Sequence, residues 1–269
     1  MKYPSTLPTA HQQLLSDIIR IFSGDKRVNA IGASGSFASN QMDQYSDLDL
    51  VIAIEPAFID EVMAERFKLV NAIPGYIEGF TGEHVGEPRL IIALYELPQS
   101  NPSLVHVDFK FVSLADAAQR VDNTLVIWER SSLLSDIYAS TEYGYPQPDC
   151  QWIEDRFWIW VHYGAGKIAR GEYFEALEFL SFLRTVVLSP LALQQAGLTP
   201  SGVRTIETRL PAFAAELKQT VATAERDTLI PALKACIAMY IELREKTTAK
   251  VNSRAQQLAI SYFNDELKA

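Results

Sequence analysis

Cysteine is scarce: two residues in 269, Cys150 and Cys236, far apart and in no recognisable ligand or redox motif. That excludes a disulfide framework and a thiolate metal site, and two reduced thiols are expected, in keeping with a cytoplasmic protein. Long apolar runs are missing too. "LVIAI" and "LIIAL" are strand-sized, far short of the ~20 residues that span a bilayer, so no membrane partner is expected. "MKYPSTLPTAHQQ" lacks a basic start followed by an apolar core, so no secretory signal is expected in it. Positive charge is in the minority, with 24 Lys and Arg against 33 Asp and Glu, a net charge of −9, and no Lys/Arg cluster. Binding a long polyanion needs a basic patch, so nucleic acid is not an expected partner. No lysine stands between Gly32 and Leu50, which argues against a Walker-type kinase or ATPase loop. There is no internal repeat and no low-complexity tract.

What is present divides at "TEYGYPQPDC", Thr141 to Cys150, a stretch with two prolines and few aliphatics that reads as a linker. Before it, short β-type runs alternate with helical patterns. "RVNAIGA", "LDLVIAI", "RLIIALYEL", "LVHVDFKFV" and "TLVIWE" read as strands. "HQQLLSDIIRIF" and "AFIDEVMAERFKLV" read as helices, "SLADAAQRV" as a short serine-capped one, and "PQSNPS" as a turn. After the linker everything is helical. "DCQWIEDRFWIWVHYGAGKIAR" places Ile153, Phe157, Trp160, Val161, Ala165 and Ile168 on one apolar stripe. "EYFEALEFLSFLRTVVL" is a second helix stopped by Pro190, and three more segments follow. The expectation is an α+β chain: a mixed sheet with flanking helices over 1–143, then a helical bundle over 144–269.

Within the first part, Asp47 and Asp49 sit two apart at the start of a strand, so both carboxylates point to one face. Like charges aimed together repel, and a hard divalent cation with oxygen ligands would relieve them. Gly35 follows a strand directly and permits a tight turn and close approach to an anion. Ser36 comes next, with ten residues between it and Asp47. The plain alternative is a strand-to-helix turn with a serine cap. Asp108 interrupts an alternating strand in which Val105, Val107, Phe109 and Phe111 share one face and His106, Asp108 and Lys110 the other. Either it lies on the solvated face of an edge strand, or it brings a third carboxylate to Asp47 and Asp49.

"GSFASNQMDQYSDLDL" and "VDFKFV" resemble the signatures of the nucleotidyltransferase superfamily, the polymerase-beta-like fold, over roughly the first half of the chain. "FWIWVHYGAGKIARGEYFEALEFL" is similar, more loosely, to the helical domain of aminoglycoside adenylyltransferases of the streptomycin 6-adenylyltransferase type. The resemblance implies a nucleotidyltransferase-type sheet domain and a helical domain that shares the acceptor and nucleotide cleft. It implies transfer of AMP from ATP to a hydroxyl of a small acceptor, an aminoglycoside among them, with release of pyrophosphate. Asp47, Asp49 and Asp108 would then be catalytic and hold Mg²⁺, two ions in number. Gly35, Ser36, Ser46 and Lys167 would contact the nucleotide, and Asp108 would take the acceptor proton. Glu83 and Glu87 lie in "EGFTGEHVGEPR", which reads as a glycine-rich loop able to reach over the cleft, His84 and His106 are further titratable candidates, and Lys167 and Arg170 also suit a helix C-terminus. Among Trp152, Phe157, Trp158, Trp160 and Tyr163, most are expected to pack and one or two to line an acceptor pocket. Two other functions stay open: a nucleotidyltransferase that modifies a protein partner, and a non-catalytic nucleotide-binding module.

Overall fold

The computed structural model describes residues 3–98 and 100–268. Gln99, within the expected "PQSNPS" turn, lies outside the described residues. So do Met1 and Lys2 of the N-terminal stretch and Ala269. The chain divides into two compact units, Met1–Gly144 and Tyr145–Ala269.

The first unit is built on six strands: β1 (Val28–Ala33), β2 (Leu48–Ile54), β3 (Tyr76–Gly82), β4 (Glu87–Glu96), β5 (Leu104–Ser113) and β6 (Leu125–Glu129). They lie in the order β3-β4-β5-β2-β1-β6, with β2 and β5 parallel and every other pair antiparallel. Helices α1 (Thr9–Gly24) and α3 (Ile59–Asn71) cover one face. Leu14, Leu15, Ile18 and Phe22 of α1 recur at helical spacing and meet the inward residues of β2 and β5, Leu50, Ile52, Phe109 and Phe111. Phe22 packs 5.7 Å from Phe109 and 5.9 Å from Phe111, centroid to centroid. Burying one such ring contributes ~2–3 kcal/mol. The opposite face carries a smaller cluster, Ala30, Ala53, Val112, Leu114, Ala117 and Leu134, where α4 (Leu133–Ser140) and a single 3-10 turn, Leu114–Asp116, cap one end.

Two local expectations are corrected here, and one of two open alternatives is closed. "EGFTGEHVGEPR", read as a loop, is the β3–β4 hairpin with a 3-10 turn at Glu83–Val85. Its strand character comes from pairing, Thr81 opposite Ile91 and Phe80 opposite Ile92, which Gly79 and Gly82 obscure in the sequence. "SLADAAQRV" shrinks to that 3-10 turn, with the Ser113 hydroxyl accepting from Ala115 N–H. The strand of Asp108 is no edge: β5 is flanked by β4 and β2.

The second unit is helical: α5 (Cys150–Ala169), α6 (Tyr173–Phe182), α7 (Ser189–Gln195), α8 (Ile206–Arg209), α9 (Pro211–Leu217), α10 (Arg226–Glu245) and α11 (Ser253–Leu267). Asp149 caps α5, accepting from the Gln151 and Trp152 N–H groups at 2.9 Å each. Pro190 does not stop the helix before it. A π turn, Leu183–Leu188, precedes α7, and Pro190 falls in the first turn of α7, where a missing N–H is tolerated. The resulting 23-residue stretch Tyr173–Gln195 is long and apolar enough to cross a membrane by composition, but most of its apolar window is buried inside the unit. Around α5 the expected stripe is buried except for Trp160, which is partly exposed and rests edge-on against Phe182.

Two features of α5 escape the stripe. Gly164 lets α6 approach so closely that a β-carbon there would collide with the Phe179 ring. Glu154, off that stripe, is nevertheless 1% exposed. Its carboxylate accepts from Tyr240 Oη (2.6 Å), Trp158 Nε1 (3.0 Å) and Asn252 N–H (3.0 Å), with Arg244 Nη1 at 3.4 Å. Burial works to raise its pKa, but these donors outweigh burial and hold it below the usual glutamate value.

Candidate functional site

The parallel β2–β5 pairing sets Asp49 directly opposite Asp108, in the register Leu48↔Val107, Asp49↔Asp108, Leu50↔Phe109. Leu48, Leu50, Val107 and Phe109 go into the core, so the two acids project together from the opposite face of the sheet. Neighbouring strands lie ~4.8 Å apart, so the two carboxylates share one rung. Asp47 precedes β2 by one residue. His106 comes up on the same face of β5, its Nε2 2.9 Å from Asp108 Oδ1. The Asp108 carboxylate raises the His106 pKa against burial, and Asp47 and Asp49 add to that attraction. One imidazole thus feels all three acids. Asp108 Oδ1 is buried, and the His106 ring nitrogen at 2.9 Å is the cation-capable group set against it. Among the described residues, no three His, Cys, Asp or Glu side chains are gathered closely enough to hold a metal ion as they stand.

The small-residue turn abuts this rung. Ser34 N–H donates to Asp49 O at 2.9 Å, which ties the turn to β2. Gly35 follows with φ +59°, and a β-carbon there would collide with Asp49 Oδ2. The position therefore demands glycine twice, for its backbone conformation and for its contact. Ser36 Oγ is buried and unpartnered. The helix that begins here, α2 (Gly35–Ala38), has one turn and negligible macrodipole, so anion affinity has to come from these groups themselves. Gly35, Ser36, Asp49 and Asp108 are brought together, with Asp47 and His106 beside them.

The remaining expected residues are placed differently. Ser46 spends its hydroxyl within the connecting loop, accepting from Asp43 N–H at 2.9 Å. Glu87 pairs with Arg89 at 2.7 Å and Lys110 at 3.1 Å. Arg89 above all, with Lys110, pulls its carboxyl down to about 2 against burial, a poor basis for proton abstraction near neutrality. Glu83 accepts from the neighbouring Thr81 hydroxyl, and His84 packs on Phe80. In the helical unit, Lys167 Nζ contacts Glu172 (2.6 Å) and Glu175 (3.0 Å) and lies over the Tyr163 ring. Phe157 and Trp158 are buried, whereas Trp152 and Tyr163 are about two-fifths exposed. Ser34 was missed by sequence reasoning, because its contribution is a backbone N–H, which no side-chain pattern reports.

No family model and no curated protein matches the chain. Several solved structures are similar to it, three of which follow. An aminoglycoside 6-adenyltransferase from Bacillus subtilis aligns over 98% of this chain and 100% of its own, with 14% identity and a TM-score of 0.42. A nucleotidyltransferase-like protein from Exiguobacterium sibiricum aligns over 95% and 78%, with 13% identity and a TM-score of 0.36. The CdnE cyclic dinucleotide synthase from Elizabethkingia meningoseptica, solved with GTP and Apcpp, aligns over 98% and 93%, with 13% identity and a TM-score of 0.27. Likeness this distant leaves the functional reading to the chemistry of the rung itself.

Proposed function

We propose that the chain is a Mg²⁺-dependent nucleotidyltransferase that moves AMP from ATP to a hydroxyl of a small acceptor, releasing pyrophosphate. The observation that carries this reading is the Asp49–Asp108 rung with Gly35 pressed against the Asp49 carboxylate. Two acids on one rung, a glycine that admits nothing between backbone and carboxylate, and a buried serine hydroxyl without a partner suit a phosphate held beside a hard cation. All the donors are oxygens, the set Mg²⁺ prefers, so Asp47, Asp49 and Asp108 are its proposed ligands. When bound, Mg²⁺, two ions in this reading, supplies charge neutralisation at the attacking and leaving oxygens.

The chain's own groups do the rest. Gly35 lets the backbone close on the triphosphate. Ser36 Oγ donates to a phosphate oxygen in place of the bond it lacks. Asp108 takes the acceptor's proton in this reading, and His106, 2.9 Å from its Oδ1, holds the carboxylate in place. Ser46 and Lys167 remain proposed nucleotide contacts, Lys167 on condition that it leaves Glu172 and Glu175. Catalysis is assigned to the first unit and acceptor choice to the second, in a cytoplasmic setting where ATP is available.

The test is pyrophosphate release from ATP and Mg²⁺ with a panel of aminoglycosides as first acceptors. Release that Asp47→Asn and Asp108→Asn each reduce by at least ~10²-fold is expected. ATP binding without release from any acceptor would favour a nucleotide-binding module, and label transferred to a protein band would favour a protein acceptor.

A further inference from the structure

The segment between Ser36 and Asp47 joins the phosphate end to the metal end of the proposed site, and Ser39–Asp47 contains no regular secondary structure. It is held from outside by residues 5–11. Asn40 adopts a left-handed backbone, φ +55°, rare without glycine. Its Oδ1 receives Thr6 N–H, Thr6 Oγ1 and Ser5 Oγ, each at 3.3 Å. Thr6 Oγ1 in turn accepts from Met42 N–H at 3.1 Å. At the far end, His11 Nε2 lies 2.7 Å from Ser46 O, the carbonyl of the peptide that leads into Asp47. A carbonyl only accepts, so Nε2 carries the proton and donates.

His11 is 2% exposed on the inner face of α1, where its neighbours in the helical stripe are Leu14, Leu15, Ile18 and Phe22. A leucine would pack there without leaving a buried, unpartnered Nδ1, as His11 does. What the imidazole adds is one shielded hydrogen bond to the loop. Shifting Ser46 O rotates the Ser46–Asp47 peptide plane and with it the start of the Asp47 side chain.

We infer that His11 is a positioning residue for Asp47, working with the Ser5–Thr6–Asn40 contacts as a strap across the Ser39–Asp47 connection. This rests on the metal reading of the site. The strap fixes where Asp47 stands before a cation arrives, so the ordering cost falls on folding rather than on binding.

The test uses the full chain carrying His11→Leu, His11→Gln or Asn40→Gly. Asn40→Gly keeps the left-handed backbone, is exposed, and removes only the strap's acceptor, so it covers the case in which His11→Leu fails to fold. Hydrogen exchange of the metal-free protein should show lost protection confined to residues 39–47 in His11→Leu and Asn40→Gly. Mn²⁺ binding, read by electron paramagnetic resonance, should weaken about tenfold in His11→Leu and recover in His11→Gln, the size expected when support behind a ligand is removed. The turnover number should fall more than KM for ATP changes. Unchanged exchange at 39–47, or unchanged Mn²⁺ affinity in a folded His11→Leu protein, overturns the inference. Failure of the unsubstituted protein to bind Mn²⁺ overturns instead the metal reading on which it rests, while the exchange result still reports on the strap.

Discussion

At the scale of the residue, Gly35 is the most constrained position in the site. A side chain there is opposed by the left-handed backbone and by the Asp49 carboxylate. Gly35→Ala is expected to cost ~1–2 kcal/mol of stability for the backbone alone. It should also displace Asp49, so pyrophosphate release should drop far more than the melting temperature suggests. Comparing kcat/KM with the thermal midpoint of the same variant checks this, and a loss of activity no larger than the loss of folded protein would refute it. Gly35, Ser36, Asp47, Asp49 and Asp108 were legible as candidates because their spacing encodes strand faces and a turn. His11, Asn40 and Ser34 were not, because each acts through a neighbour that only the fold supplies. Ser46 was legible as a residue beside the acids, but its hydroxyl is committed to Asp43.

At the scale of the element, Glu154 shows how a helix bundle is pinned by one buried charge. Its donors come from α5, from α10 and from Asn252, the cap of α11. Glu154→Ala strands the Tyr240 hydroxyl and removes the carboxylate beside Arg244, which keeps its contact to Gln256, and should cost about 3–5 kcal/mol. Its folded pKa lies below the unfolded value, so its contribution is in full force above the unfolded glutamate pKa and is lost as pH falls through the folded one. Glu154→Gln removes that dependence. The gap in melting temperature between Glu154→Gln and the unsubstituted protein should therefore narrow from pH 7 towards pH 3. A gap that stays constant would mean the carboxylate is not the titrating group. Element type was readable wherever a single period ran without interruption, as in α1, β2, β5 and α5. It failed at β3, where glycines broke the alternation, and at Pro190, where a π turn upstream changed what the proline meets.

At the scale of the whole molecule, the chain has a separate hydrophobic core in each unit, one centred on Phe22, Phe109 and Phe111 and the other on α5. Calorimetry should resolve two transitions, Glu154→Gln moving one and Gly35→Ala the other, and a single transition moved by both would contradict that division. The net charge of −9 makes the protein repel polyanions. Fluorescence anisotropy should find no binding of duplex DNA at physiological salt, and tight, salt-sensitive binding would contradict this. The β2–β5 rung has one more consequence. Its acids are 59 positions apart in the chain, brought together by a parallel pairing across the intervening α3, β3 and β4. A slip of one residue in that pairing would turn Asp108 and Lys110 into the core and Phe109 out to solvent, a burial no nearby partner relieves. The residues proposed to do chemistry would therefore also report on assembly: on the metal reading, only a chain whose strands have found the correct register would bind the cation.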